Sequence, residues 1–530
     1  MILGTTVSFS WPDDTPVFTD LTFAIGPGRT GLVAPNGAGK TTLLRLLAGE
    51  LSPGTGGVSV EGSLGYLPQE LPLLLDATVD EVLGVAPIRA ALHAIESGDA
   101  SEEHFAVVGS DWDIEERTTA ILDRLGLGAV SLDRSLRTLS GGQVLAIGLA
   151  AQLVTQPDVL LLDEPTNNLD LAARHRLYRI VDEWPGTLLV ISHDRALLDR
   201  MDRIAELHPT ELRLYGGNFT EYRAAVDREQ DAAEQAVRTA EQDLKRQKRE
   251  AQLAKERAER RSSNAKRNKA NLGLSRLHAG NHERRAQVSA SRSADVHHRR
   301  IADARSTVDD ASARLRAEDR IAIALPETSV PAGRTVLDLA GVSALSLFAG
   351  DGVDLVLRGP ERVALSGDNG SGKSTLLKLI TGELTPDRGT ITRGVGRIAY
   401  LSQRLDVLDL SLTVLENLRA HAPQLADNDL RHRLAQFLFR GERIHLPTSV
   451  LSGGERLRAT LACILSTDPA PQLLLLDEPT NNLDLAGAGQ LEEALNAYRG
   501  AFLVVSHDQP FLDAIGVERT LHLSDGALIE

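Results

Sequence analysis

Eight residues, Asp-Glu-Pro-Thr-Asn-Asn-Leu-Asp, occur twice in this chain, at Asp163–Asp170 and at Asp477–Asp484. Each copy follows an aliphatic run, Val159–Leu162 or Leu473–Leu476, whose composition predicts a strand buried on both faces. Asp163 and Asp477, at the ends of those strands, are placed to hold Mg²⁺ through water. Glu164 and Glu478, one residue on, are placed to polarise an attacking water. A second buried run (Leu188–Ile191, Phe502–Val505) leads in each half to Ser-His-Asp, which puts His193 and His507 at a γ-phosphate. The chemistry is hydrolysis of a nucleoside triphosphate, and the chain carries the means for it twice.

Such chemistry needs a phosphate cradle. Gly367, Asp368, Asn369, Gly370, Ser371, Gly372, Lys373 and Ser374 satisfy the full P-loop pattern, with Thr375 opening the helix behind them. Glycines let successive backbone N–H groups curl around a phosphate, and the helix adds its positive end. Lys373 would reach the β- and γ-phosphates, and the Ser374 hydroxyl would ligate Mg²⁺. The first loop, with Asn36, Gly37, Ala38, Gly39, Lys40, Thr41 and Thr42, repeats the pattern except that Ala34 replaces its leading glycine. Gln69 (in Tyr66-Leu67-Pro68-Gln69) and Gln403 (in Tyr400-Leu401-Ser402-Gln403) are further candidates for Mg²⁺ and the nucleophilic water. Ser140, Gly141, Gly142 and Gln143 recur as Ser452, Gly453, Gly454 and Glu455. A serine and glycine N–H groups at a helix start make a suitable lid for a γ-phosphate.

The elements that must position these groups are read from the duplication. The phosphate loops are offset by 333 residues, the Ser-Gly-Gly segments by 312, and the carboxylate pairs and histidines by 314. The first copy therefore holds about 21 extra residues, expected within 88–117, where Ser97–Ser101 marks a loop. Gly31–Val33 and Val363–Leu365 are predicted strands running into glycine turns and then into Leu-rich helices. The fold class is α/β: two tandem P-loop nucleotide-hydrolase domains, 1–222 and 326–530, joined by a connector at 223–325.

That connector is a long helical hairpin by composition. From about 220 to 320 it is built of Ala, Glu, Gln, Arg and Lys with occasional Leu. The only glycines between Gly217 and Gly333 are Gly273 and Gly280. Two helices, 220–269 and 282–320, are predicted, with Leu244, Ala251, Ala254 and Ala258 in the seam. The net charge of the chain is −16, yet Lys245–Arg300 holds 17 Lys or Arg against 5 Asp or Glu. A basic prong between acidic bodies favours a polyanion at one place only. Lys266, Arg267, Lys269, Arg276, Arg284 and Arg285 crowd its tip, and with 4% aromatic residues overall, phosphate contact to structured RNA suits it better than base stacking. A single cysteine, Cys463, excludes a disulfide framework and a cysteine zinc site. The N-terminus has no signal-peptide pattern and no apolar run is long enough to span a membrane, so a cytoplasmic protein is expected.

On these motifs both halves resemble the ATP-binding cassette superfamily, for which Leu-Ser-Gly-Gly-Gln/Glu is the signature. The resemblance implies ATP as substrate, Mg²⁺ as cofactor and head-to-tail pairing of the two cassettes within a monomer. It puts Lys40, Asp163, Glu164 and His193 opposite Ser452–Glu455, and Lys373, Asp477, Glu478 and His507 opposite Ser140–Gln143. Trp11 sits where cassettes place an aromatic against adenine, and no aromatic occupies Val342–Leu347 in the second half. With two fused cassettes, no membrane domain and a charged helical linker, nearly the whole chain is similar to the F subfamily. That resemblance implies the ribosome as partner, through rRNA and the P-site tRNA, with the hairpin in the tRNA exit site pointing to the peptidyl-transferase centre. It further implies action as a translation factor or in antibiotic protection, and makes residues 88–117 a reduced form of the family's arm. The alternatives are an ATP-hydrolysing subunit of a transporter, in which a basic hairpin has no task, and a DNA-repair ATPase, whose coiled coils usually interrupt a cassette.

Overall fold

The structure is a computed structural model. It describes all residues except 70–76, 100, 168, 270–295, 297, 313–324, 346, 349–351, 369, 395, 403–404, 482 and 525. The chain divides into two compact units: Met1–Phe219 with Asp319–Glu530, and Thr220–Glu318.

The first unit contains the same architecture twice. In the N-terminal half a six-stranded sheet runs in the order Leu64–Leu67, Val159–Asp163, Thr187–Ile191, Gly28–Val33, Arg203–Leu207, Leu212–Gly216. In the C-terminal half the order is Ile398–Leu401, Leu473–Asp477, Ala501–Val505, Arg362–Ser366, Arg519–Ser524, Ala527–Ile529. In both, the first five strands pair in parallel and the last antiparallel. A three-stranded antiparallel sheet completes each half: Pro16–Ile25, Ile2–Ser10 and Thr55–Val60, repeated as Val353–Arg358, Thr335–Ser343 and Arg388–Arg393.

The hydrophobic runs explain the order. Every residue of Val159–Asp163, Thr187–Ile191, Leu473–Asp477 and Ala501–Val505 is buried, as a strand covered on both faces requires. Each fully buried leucine there contributes roughly 2 kcal/mol of transfer free energy. Their C-terminal ends all face the same edge, so Asp163, Glu164, His193 and their counterparts meet at the loops beyond that edge, where ligands bind in parallel α/β sheets.

The extra residues of the first half are helical. Ala86–Glu96 and Glu102–Val108 form two helices, of 11 and 7 residues, on either side of the loop expected at Ser97–Ser101. Arg89 ties them down with ion pairs to Asp80, Glu115 (2.8 Å) and Asp133 (3.1 Å).

One helix, all but its first residue in the second unit, runs without a break from Phe219 to Lys269, 51 residues and roughly 75 Å at 1.5 Å per residue. Ala233, Val237, Ala240, Leu244, Gln247, Ala251 and Ala254, at alternating steps of four and three, are the less exposed stripe of this helix. Ile301, Ala304, Val308 and Ala311 repeat that spacing on the returning helix at 298–312. A sustained 3.5-residue period of small residues is the pattern of a closely packed coiled coil. Ala258 belongs to the same predicted seam, but its side chain lies outside the described residues, as do the turn at 270–281 and most of the return arm.

Candidate active site

Each phosphate loop ends as the N-terminus of a helix, Lys40–Leu47 or Lys373–Thr381, with Gly39 (φ +91°) and Gly372 (φ +102°) as left-handed caps. The loops differ at their first residue. Gly367 has φ +147°, and a Cβ there would meet the Leu523 carbonyl oxygen at 2.3 Å, so only glycine fits. Ala34 is not among the left-handed residues of the first loop, which is built to accept its methyl group. The lysines nevertheless end in matching places. The Lys40 ammonium donates to the Ala34 carbonyl (2.8 Å) and the Lys373 ammonium to the Gly367 carbonyl (2.6 Å).

Two cavities of about 450 and 310 Å³ lie over these loops. The first brings together Trp11, Asn36, Gly37, Gly39, Lys40, Thr41, Thr42, Gln69, Asp163, Glu164 and His193. The second brings together Gly370, Gly372, Lys373, Ser374, Thr375, Asp477, Glu478 and His507. Ala38, Gly367, Asp368 and Ser371 belong to the loops without lining a cavity. Asn369 and Gln403 lie outside the described residues, as do Arg276, Arg284 and Arg285 and the side chains of Lys266, Arg267 and Lys269. Trp11, 36% exposed, makes a T-shaped contact with Phe9 at 5.2 Å and lines the first cavity. Among the described residues no aromatic lines the second; Phe348, the nearest candidate, is buried beneath Gly372.

Both catalytic candidates share a backbone oddity that sequence does not reveal. Glu164 and Glu478 have φ of +50° and +45°, while their N–H groups donate to the Ile191 and Val505 carbonyls, each at 2.9 Å. A side chain other than glycine in this region is strained, and here the neighbouring strand holds it so. The turn sets the Glu164 carboxyl 3.1 Å from His193 Nε2 and the Glu478 carboxyl 3.5 Å from His507 Nε2. Burial pushes both glutamates up to about 7, against the pull of Lys40 at the first and of Arg174 and Lys373 at the second. Burial likewise drives His193 down to about 3 and His507 to about 4, so both imidazoles are neutral at physiological pH. A glutamate serves as base only when ionised. Single-turnover hydrolysis at saturating ATP should therefore rise roughly tenfold between pH 6 and 8 and then level, as a quench-flow pH series would register. A rate that falls over that range would assign the base elsewhere.

Both carboxylate oxygens of Asp163 are buried with no hydrogen bond of ordinary geometry, and Thr41 and Gln69 line the same cavity. Such an oxygen set, short of a full shell, suits a Mg²⁺ completed by phosphate and water. No cluster of three His, Cys, Asp or Glu among the described residues could hold a metal unaided. Asp477 differs in accepting a hydrogen bond from the Tyr400 hydroxyl at 3.1 Å.

The two signatures open helices that lie outside both cavities. Ser140 and Ser452 cap the helices Gly141–Thr155 and Gly453–Leu465, in reciprocal bonds with Gln143 and Glu455. Neither signature lines a cavity. What crosses from one half to the other is the end of the repeated octapeptide. Asp484 caps its own helix through Gly487 N–H (2.8 Å), and its other oxygen accepts the Asn36 N–H of the opposite phosphate loop (2.9 Å). Thr480, Asn481 and Leu483 line the first cavity, Leu169 the second, so the halves are paired head to tail. Arg195 and Glu492 add an ion pair across the same boundary at 2.8 Å. Arg174, which sequence reasoning passed over, lines both cavities.

A repeated sheet with these groups at its strand ends, each half helping to line the other's cavity, is the arrangement of a tandem ATP-binding cassette ATPase. The protein-family model for the ABC transporter cassette matches residues 18–167 and 351–481. The chain is 36% identical over 522 residues to the tylosin resistance ATP-binding protein TlrC of Streptomyces fradiae, covering 94% of this chain and 93% of that one. It is 29% identical over 549 residues to ABC transporter F family member 5 of Arabidopsis thaliana, covering 97% and 73%. The archaeal ribosome recycling factor aABCE1, solved with the ribosomal stalk protein aP1, shares the fold. It superposes with a TM-score of 0.60 at 20% identity, over 99% of this chain and 89% of its own. The chain belongs to the F family of ATP-binding cassette proteins and is an ATPase. No helix among the described residues is long and apolar enough to cross a membrane.

Proposed function

We propose that this protein is an ATP-gated clamp that binds the ribosome and protects it from an antibiotic acting near the peptidyl-transferase centre. ATP would lie on each phosphate loop, its phosphates taken over by Lys40 or Lys373 from the carbonyls those ammonium groups now hold. Mg²⁺, held by Thr41, Asp163 and Gln69 or by Ser374, Asp477 and Gln403, would supply neutralising charge at the phosphates. Glu164 and Glu478 orient and deprotonate the attacking water. His193 and His507, neutral, offer a ring N–H to the γ-phosphate. Full closure brings Ser452–Glu455 over the first nucleotide and Ser140–Gln143 over the second; loss of the γ-phosphate removes the charge that holds them and opens the clamp.

The observation that carries the ribosomal reading is the match to a protein named for tylosin resistance along 94% of this chain, a span that cannot leave out the hairpin. The charge of Lys245–Arg300 supports the same partner class, since an excess of 12 positive charges on one prong seeks phosphate. The test is a susceptibility panel, headed by tylosin, on sensitive cells expressing the chain. At least one compound should need a fourfold or higher inhibitory concentration than in cells expressing a Lys40→Ala, Lys373→Ala control. A flat panel, together with no ATP-dependent pelleting with ribosomes, rejects the proposal.

A further inference from the structure

From the carboxylate pairs to the histidines the two halves are in register at an offset of 314, so each position in that stretch of the cassette boundary has a partner against which it can be judged. Arg174 pairs with Ala488, Tyr178 with Glu492 and Arg195 with Gln509. The boundary is thus not self-complementary: both guanidinium groups that cross it from the first half lack a counterpart, and of the two Arg174 is the one that lines the cavities.

Arg174 sits in the first turn of the helix Leu171–Glu183, four residues beyond Asp170, with its side chain 12% exposed. Its Nε donates to the Leu169 carbonyl of its own half (3.3 Å), and its Nη1 to the His507 carbonyl of the other half (3.5 Å). Asp194 lies 3.8 Å from the same nitrogen, and Asp194 is itself fixed by the Tyr178 hydroxyl (2.6 Å). The loop that Arg174 holds is short and stiff. Asp508 N–H donates to Ser506 Oγ (3.1 Å), and the Asp508 carboxylate caps the next helix through Phe511 N–H (3.1 Å). A donor on the carbonyl of His507 therefore fixes the imidazole that faces Glu478. At the first site the equivalent position is Ala488, which lines the cavity and can donate nothing.

We propose that Arg174 is a cross-cassette positioning residue for the second ATP site: it holds the His507 loop in register with the first cassette, so that hydrolysis at Lys373 depends on the first half's helix Leu171–Glu183 in a way that hydrolysis at Lys40 does not depend on the second half's. A planar fork serving three acceptors on two halves is a task for arginine; lysine keeps the charge and stem but cannot reach all three at once. The proposal rests on the assignment of Glu164 and Glu478 as the bases.

Single-site proteins test it. Glu164→Gln leaves the second site active and Glu478→Gln the first, and single-turnover hydrolysis of radiolabelled ATP reads each without waiting for the clamp to open. With Glu164→Gln, Arg174→Ala should lower the maximal rate about tenfold or more while half-saturating ATP moves less than about twofold, as misplacement near reacting groups does. Arg174→Lys should recover part of that rate. With Glu478→Gln, either change should cost less than about threefold. Equal losses at both sites, a change in half-saturation alone, or a lysine variant no better than alanine would overturn the proposal. Thermal melts and nucleotide binding of Arg174→Lys separate a folding defect from a positioning one. Continued hydrolysis by the double Glu→Gln protein would instead strike the assignment of the bases.

Discussion

Changing Glu164 and Glu478 together to Gln should leave ATP binding intact, slow hydrolysis at least about a hundredfold and hold the protein on ribosomes. Glutamine has the shape of a protonated glutamate, and both carboxyls are buried enough to be pushed up to about 7, so the pockets already tolerate a neutral group. The backbone bonds from Glu164 N–H to Ile191 and from Glu478 N–H to Val505 do not involve the side chain and persist. What is lost is the base. ATP then bridges the halves without being consumed, and the protein should pellet with ribosomes in ATP and arrest translation in a cell-free system. Release of the double variant from ribosomes by ATP would mean that nucleotide opens this clamp and does not close it. Alanine at the same positions is a poorer probe, since it also removes the atom 3.1 Å from His193.

The duplication explains why so much of the fold was legible. Val159–Leu162 and Leu473–Leu476 are apolar at every position, which in a strand means cover on both faces, and both are central strands. The arm 220–269 was legible because no glycine or proline interrupts it, and the helix runs Phe219–Lys269. Residues one or two apart on a loop, such as Gly372, Lys373 and Ser374, keep their relation whatever surrounds them. The remainder depends on chain segments hundreds of residues apart. Nothing local to Asp484 says that it accepts the Asn36 N–H, nor anything local to Arg174 that it reaches His507. The left-handed glutamates were hidden for a related reason. Their conformation is imposed by the neighbouring strand, against the preference of the residue itself.

The two sites are built alike and furnished differently. The first has Trp11, an Ala-led loop and an Asp163 beside Thr41 and Lys40; the second has a Gly-led loop, an Asp477 bonded to Tyr400, and Arg174 from across the boundary. Differences concentrated around the phosphate loops and carboxylates bear on the chemistry there, while the sheets behind them are shared.

Neutralising Lys266, Arg267, Lys269, Arg284 and Arg285 to Ala should cut ribosome affinity and flatten its salt dependence, lowering the slope of log K against log salt by about 3.5 to 4.5. Each phosphate contact releases close to one counterion, so five lost contacts carry that signature whatever their individual strengths. Replacing Arg228 and Arg238, far from the tip on the same helix, removes charge without removing contacts and should barely move the slope. Hydrolysis without ribosomes should be unaffected in both proteins, because the cassettes Met1–Phe219 and Asp319–Glu530 form a compact unit separate from Thr220–Glu318. Equilibrium pelleting of the ATP-locked double Glu→Gln protein across a potassium chloride series measures the slope directly. If the tip variant shows the wild-type slope, the hairpin's charge serves something other than RNA, and antibiotic protection would have to arise without it.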